Sequence, residues 1–178
     1  MSSTRTRNIL FTVTAAVSIL LDQWTKVLAR THLKPLDPWR GIVVIDGYFD
    51  LRYSENTGVA FGMLQKLPGG RILLSLMALA ALGLVFHYLR RTDPSQTRLH
   101  LALGLVGGGA VGNLVDRIIA GRVSDFIVWH YHGHEWPAFN VADAALVVGV
   151  CLMALDMMLD KRRTATGAPP ERAAGGRR

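Results

Sequence analysis

The chain has 178 residues, 50% of them hydrophobic, and a formal net charge of +7 from 20 lysines and arginines against 13 acidic residues. Soluble domains of this size are rarely so apolar and so basic together, and the combination fits apolar spans joined by charged loops. It does not fit a nucleic-acid binder, because the chain has no zinc-type spacing, no basic helix and no aromatic RNA motif.

Residues 1–7 are polar, and Ile9–Leu21 is an apolar run broken only by threonine and serine. A basic start before such a run resembles a signal peptide, but no small-x-small cleavage site follows, so a retained helix is expected. Residues 8–29 would make a helix about 33 Å long, enough to span a bilayer. Asp22 and Lys26 lie four apart on one face of it, acid first. Pro35 and Pro38 stop the helix. Ile42–Ile45 and Tyr48–Tyr53 flank Asp46-Gly47 and predict a β-hairpin. Asn56 follows in a polar turn, Glu55–Gly62, that enters an apolar stretch. It reads equally as a turn residue or as a hydrogen-bonding ligand for a substrate backbone.

A second apolar segment covers about 72–89 and ends in a charged turn, Arg90–Arg98, that contains Pro94. A third covers about 99–120 and contains Gly107-Gly108-Gly109, a run that lets neighbouring membrane helices approach closely. Gly109, Asn113 and Arg117 form one stripe at i, i+4 and i+8, with Asp116 beside Asn113. Such a stripe, at one end of a greasy helix, is not expected to face lipid. Residues 121–138 read as a loop with Trp129, Trp136 and the run His130-Tyr131-His132-Gly133-His134. Its histidine spacing is not a helical zinc signature, and no metal is expected. The single Cys151 sits in an apolar run and reads as a small filler. It belongs to a fourth segment, about 140–159, with Asp156 near its inner end. Residues 161–178 are basic and rich in Ala and Gly, and are expected to be disordered.

These elements predict a single-domain, all-α integral membrane protein. Its four transmembrane helices run up-down-up-down, with a small extracytoplasmic β-hairpin. Alternating direction puts eleven basic and four acidic residues on one side and nine of each on the other. The basic side, with both termini, is then cytoplasmic. Trp24, Trp39, Trp129 and Trp136 all fall on the outer side. So do Asp22, Lys26, Asn56, Asn113, Asp116, Arg117, Asp125, Asn140 and Asp143, delivered from separate places in the chain. Scattered surface polars would not sort this way.

Asp125 and Asp143 stand out in that set as a catalytic pair. Two close carboxylates cannot both ionise comfortably, so one keeps a proton and the pair serves as acid and base together. The ionised member takes a proton from water while the protonated member hydrogen-bonds the scissile carbonyl. Ser124 has no identifiable base and is not favoured as a nucleophile. A proton-relaying transporter would place polar groups at several depths, continuing to the inner face, whereas the inner half of the bundle is almost bare of them apart from Asp156. Residues 54–64 and the 121–138 loop are expected to gate the site.

The blocks Asp22-Gln-Trp-Thr-Lys26, Asn56-Thr-Gly-Val-Ala-Phe61, Gly109-Ala-Val-Gly-Asn-Leu-Val-Asp-Arg117, Val123-Ser-Asp-Phe126 and Phe139-Asn-Val-Ala-Asp143, in this order, resemble bacterial lipoprotein signal peptidase (signal peptidase II). The resemblance covers about residues 8–160. It implies an inner-membrane aspartic peptidase without cofactor or metal. The implied substrates are diacylglyceryl-modified prolipoproteins, cut just before the lipidated cysteine, with membrane lipid as the other partner. It implies Asp125 and Asp143 as the dyad. Asp22, Lys26, Asn56, Gly109, Asn113, Arg117 and Asn140 then line or brace the site. The outer hairpin matches a small sheet that lies on the membrane and helps hold the substrate.

Overall fold

The computed structural model describes residues 3–36, 41–58 and 69–165. Four long helices carry the chain: α1 (Ser3–Leu28), α2 (Gly70–Arg91), α3 (Thr97–Ala120) and α4 (Val141–Ala165). Each contains its expected segment to within about two residues, except that α1 gives up Ala29 and starts five residues early. α4 continues through 161–165, which the sequence assigns to the tail; residues 166–178 lie outside the described residues. α2, α3 and the Val141–Leu159 part of α4 are long and apolar enough to cross a membrane. α1 is as long, but Asp22 and Lys26 in its last turns lower its hydropathy, and both are turned into the protein.

α3 is the central helix, packed against α1, α2 and α4. Its glycines set how close the neighbours come. A Cβ on Gly108 would stand 2.7 Å from Ser18 Cβ and 2.8 Å from the Ala15 carbonyl oxygen of α1. On the α4 side, a Cβ on Gly109 would collide with the Ala142 carbonyl and stand 2.8 Å from Leu146 Cγ. No side chain larger than hydrogen fits at either contact without moving a helix.

After Leu28 the helix widens into one π turn, Ala29–Leu33, closed by the Lys34 amide donating to the Ala29 carbonyl at 3.0 Å. Ala29 and Leu33 are buried against Phe126, Leu51 and Tyr53, so the turn is the floor on which a sheet rests. That sheet is antiparallel in the order β1-β2-β3-β4: Ile42–Ile45, Phe49–Asn56, Val123–Tyr131 and His134–Glu135. The expected hairpin about Asp46-Gly47 is present as β1 and β2.

The expected loop over 121–138 is corrected: most of it is β3 and β4. β3 is buried on both faces over Val123–Phe126 and pairs with β2, some 70 residues earlier in the chain, a partner no local pattern can announce. Hydrogen-bonded on both sides, β3 is poorly suited to gating. Residues 59–64 of the other expected gate, and Trp39, lie outside the described residues. Cys151 is exposed on α4 rather than packed inside the bundle.

Candidate active site

Two backbone devices bring the carboxylates together. The first is sheet register, which sets Asn56 opposite Val123 and Ser54 opposite Asp125. The second is a short zipper beside β3. The Phe126 and Ile127 amides donate to the Phe139 carbonyl at 3.0 and 2.9 Å, and the Phe139 amide donates to Ile127. Asn140 is thereby placed beside Asp125 and at the mouth of α4.

Asn140 caps α4. Its Oδ1 accepts the Asp143 amide at 2.9 Å, while Asp143 Oδ2 accepts the Asn140 amide at 3.3 Å. This reciprocal pair is a capping box. The Asn140 side-chain amide also donates to Asp125 Oδ1 at 2.7 Å and to Asn113 Oδ1 at 3.2 Å. Asn113 Nδ2 donates to Asp143 Oδ1 at 2.7 Å. Asn56 Nδ2 donates to Asp125 Oδ2 at 3.0 Å, and its Oδ1 accepts the Gly58 amide at 2.9 Å. Asn56 is therefore a turn residue, and its side-chain amide holds Asp125. Burial, and then the charge of Asp143, push the Asp125 carboxyl up to about 6, against hydrogen bonds from Asn56 and Asn140 that pull it down.

Beneath these lies a buried charge cluster. Asp22 and Lys26 have no exposed surface and pair at 2.8 Å. Lys26 Nζ also donates to Asn113 Oδ1 at 3.0 Å and lies 3.3 Å from Asp116 Oδ2. Asp22 Oδ1 accepts the Ala142 amide at 2.9 Å, a carboxylate at the α4 N-terminus where the helix dipole favours it. Gly109 supplies the close α3–α4 contact already described. Arg117 donates to the Asn113 carbonyl at 3.3 Å and lies within Coulomb range of Asp143, Asp125 and Asp116.

Asp116 joins the same cluster. Beside Arg117 in sequence, it makes its ion pairs with Lys26 and with Arg30, the latter at 2.7 Å, and accepts the Ser124 amide at 3.1 Å. Its removal should therefore cost much more than the loss of one Arg117 pair. Among the described residues no three His, Cys, Asp or Glu side chains are grouped to hold a metal ion.

The sequence profile of the Signal peptidase (SPase) II family matches residues 14–159. The chain belongs to the signal peptidase II family. Its relatives include a protein named Lipoprotein signal peptidase from Geobacter metallireducens, 41% identical over 157 residues, covering 86% of this chain and 93% of that one. Another of the same name, from Symbiobacterium thermophilum, is 42% identical over 151 residues, covering 85% and 95%. A solved bacterial membrane enzyme is similar in fold, with a TM-score of 0.74 at 25% identity over 89% of this chain and 92% of that one. As a signal peptidase II, the protein is a protease with membrane-spanning helices.

The structure brings together Asp125, Asp143 and the seven residues expected to line or brace them, with Asp116 beside them. It adds three that the sequence reading missed in this signal peptidase II: Arg30, Ser124 in a supporting role, and Tyr53, whose hydroxyl lies 3.3 Å from Ser124 Oγ. Arg30 extends the Asp22–Lys26 stripe by four more residues, a signal that was present. Ser124 lies in a motif block, but its partners, like Tyr53's place, depend on strand pairing, which has no local signal.

Proposed function

We propose that this chain is an aspartic endopeptidase of the bacterial inner membrane. It removes the signal peptide from diacylglyceryl-modified prolipoproteins, cutting just before the lipidated cysteine, with Asp125 and Asp143 as the catalytic pair. The observation that carries the reading is Asn140. One side chain hydrogen-bonds Asp125 and, through the α4 capping box, fixes Asp143. Ser124, the other oxygen nucleophile nearby, has its hydroxyl occupied by Arg30 and Tyr53, and among the described residues no histidine or carboxylate hydrogen-bonds that hydroxyl.

Charge balance favours a pair with one proton. Lys26, Arg30 and Arg117 face Asp22, Asp116, Asp125 and Asp143. With all seven ionised the cluster holds one negative charge too many, in a setting where unbalanced charge is expensive. A single proton shared by Asp125 and Asp143 makes it neutral, and that is the form acid–base hydrolysis needs. The ionised carboxylate takes a proton from water, whose oxygen attacks the scissile carbonyl carbon. The protonated carboxyl donates to the carbonyl oxygen as it becomes an alkoxide-like centre. The tetrahedral intermediate then collapses. The C–N bond breaks, and the leaving nitrogen takes the proton first removed from water. Water is the only co-reactant.

In this reading α1 is a fourth span, its polar end hidden against α3, and both termini are cytoplasmic. The site then opens at the outer face, where a lipidated cysteine would lie. A cleft of about 710 Å³ between α2 and α3, lined by Thr57, Arg71, Ile72, Leu76, Arg117 and Ile118, suits an apolar substrate segment beside the site. The exposed Ile42–Ile45 strand, with Tyr48, Trp129 and Trp136, suits a sheet resting at the lipid interface.

The test is cleavage of a diacylglyceryl-modified prolipoprotein in proteoliposomes. Asp125→Asn and Asp143→Asn should each abolish turnover while the protein stays folded. Full activity in either would end the dyad assignment. Processing of the unlipidated precursor at the same rate would end the substrate assignment.

A further inference from the structure

We propose that Arg30 is a positioning residue of this site, holding the strand that carries Asp125 through Ser124; the inference rests on Asp125 being catalytic. Arg30 sits on the π turn, a distortion often kept where a side chain must be re-aimed. Its guanidinium spans two elements. Nη2 donates to Asp116 Oδ1 of α3 at 2.7 Å, and Nε donates to Ser124 Oγ of β3 at 2.9 Å. The second oxygen of Asp116 accepts the Ser124 amide at 3.1 Å. Ser124 is thus held at both backbone and side chain by one ion pair, and its carbonyl carbon is bonded to the Asp125 nitrogen. Asp116 and Ser124 are 2% and 4% exposed, so water does not replace a lost partner there.

Without Arg30, Asp116 depends on Lys26, a cation already shared with Asp22 and Asn113. The Ser124 hydroxyl would lose its charged donor. The strand could then shift relative to α4, and small displacements of a reacting group are costly to rate. A lysine at this place restores the charge but not the fork, because one ammonium cannot reproduce two donors set at fixed angles.

The experiment uses the full chain in proteoliposomes with the diacylglyceryl-modified prolipoprotein, alongside thermal unfolding in detergent. Arg30→Gln is expected to lower kcat roughly 10- to 100-fold with KM within about twofold, the pattern of a misplaced catalytic group. Arg30→Lys should recover only part of the loss. Ser124→Ala, which deletes one hydroxyl and leaves the backbone bond to Asp116, should also lower kcat. The double variant should be no slower than Arg30→Gln alone, because both act through one contact. Lys34→Gln, one helical turn further on and paired with Glu55 instead, should stay within about twofold of the parent.

Wild-type kcat in Arg30→Gln, or strictly additive losses in the double variant, would overturn the proposal. So would wild-type kcat in Ser124→Ala, which decides the matter even if Arg30→Gln does not fold. Turnover by Asp125→Asn would instead overturn the peptidase assignment on which the inference stands.

Discussion

Asn56 shows how a single amide can set the acidity of a buried carboxyl. Its hydrogen bond favours the ionised form of Asp125, opposing burial and the Asp143 charge that push the carboxyl up to about 6. Asn56→Ala removes that bond, so the Asp125 carboxyl should rise further. The limb of the pH–rate profile governed by the pair should move to higher pH; an unmoved or acid-shifted limb would contradict the assignment. The same carboxyl has a stability consequence. Its folded value lies above the ordinary 3.8, so the folded state binds its proton more tightly than the unfolded state does. Below about pH 4 both states are protonated and nothing is lost. As pH rises through about 6, stability worth on the order of 2–3 kcal/mol is lost at this one position. Asp125→Asn lacks this dependence. Its melting temperature relative to the parent should therefore climb between pH 4 and pH 7.5, whatever constant cost the lost carboxylate imposes. A difference in melting temperature that stays flat over that range would refute it. The five motif blocks made Asp125, Asp143 and their asparagines legible in sequence. The acidity of Asp125 was not, because it depends on which amides the sheet register delivers.

At the scale of elements, legibility followed locality. Hydropathy found α2, α3 and α4 because an apolar span declares itself within some 20 residues. The β1–β2 hairpin declared itself through Asp46-Gly47 between two β-rich runs. β3 did not, since its pairing partner is distant and its buried faces hide the alternation that marks a half-exposed strand. The π turn had no signature at all. Within the helices, the glycines of α3 make a sharper claim than hydropathy does. Gly108→Ala would put a methyl 2.7 Å from Ser18 Cβ and 2.8 Å from the Ala15 carbonyl oxygen, and backbone cannot yield as a flexible side chain can. A loss of about 1–3 kcal/mol is expected from such overpacking. Gly83→Ala on α2, where the same methyl meets nothing within 4 Å, should stay within about 0.5 kcal/mol or gain slightly. Thermal unfolding of both variants in one detergent decides it. Equal changes in the two variants would mean that close approach to α1 is not what Gly108 serves.

At the scale of the molecule, the proposed mechanism depends on all the polar groups meeting at one membrane face, which requires α1 to cross along with the other three helices. α1 is the doubtful span by hydropathy alone, because a hydropathy window counts Asp22, Gln23 and Lys26 as if they faced lipid. Asp22 and Lys26 have no exposed surface, and Gln23 donates to the Gly112 carbonyl at 3.1 Å, so the end that looks too polar is neutralised inside the bundle. Its outward side instead carries Val13, Val17, Leu20, Leu21 and Trp24, all exposed, as a lipid-facing surface requires. The up-down-up-down order then makes a prediction for thiol labelling. Cys151 lies near the middle of the α4 span on its exposed side, so it should resist a membrane-impermeant maleimide from either side. In a Cys151→Ser background, His132→Cys in the β3–β4 turn should react in intact spheroplasts. Thr4→Cys at the start of α1 and Ser95→Cys between α2 and α3 should react only after the membrane is opened. Labelling of Thr4→Cys from outside, with Ser95→Cys still protected, would mean that α1 does not cross. Both ends of α1 would then lie at the outer face, which its packing along the length of α3, from Phe11 and Thr14 at Gly104 to Asp22 at Gly112, does not permit.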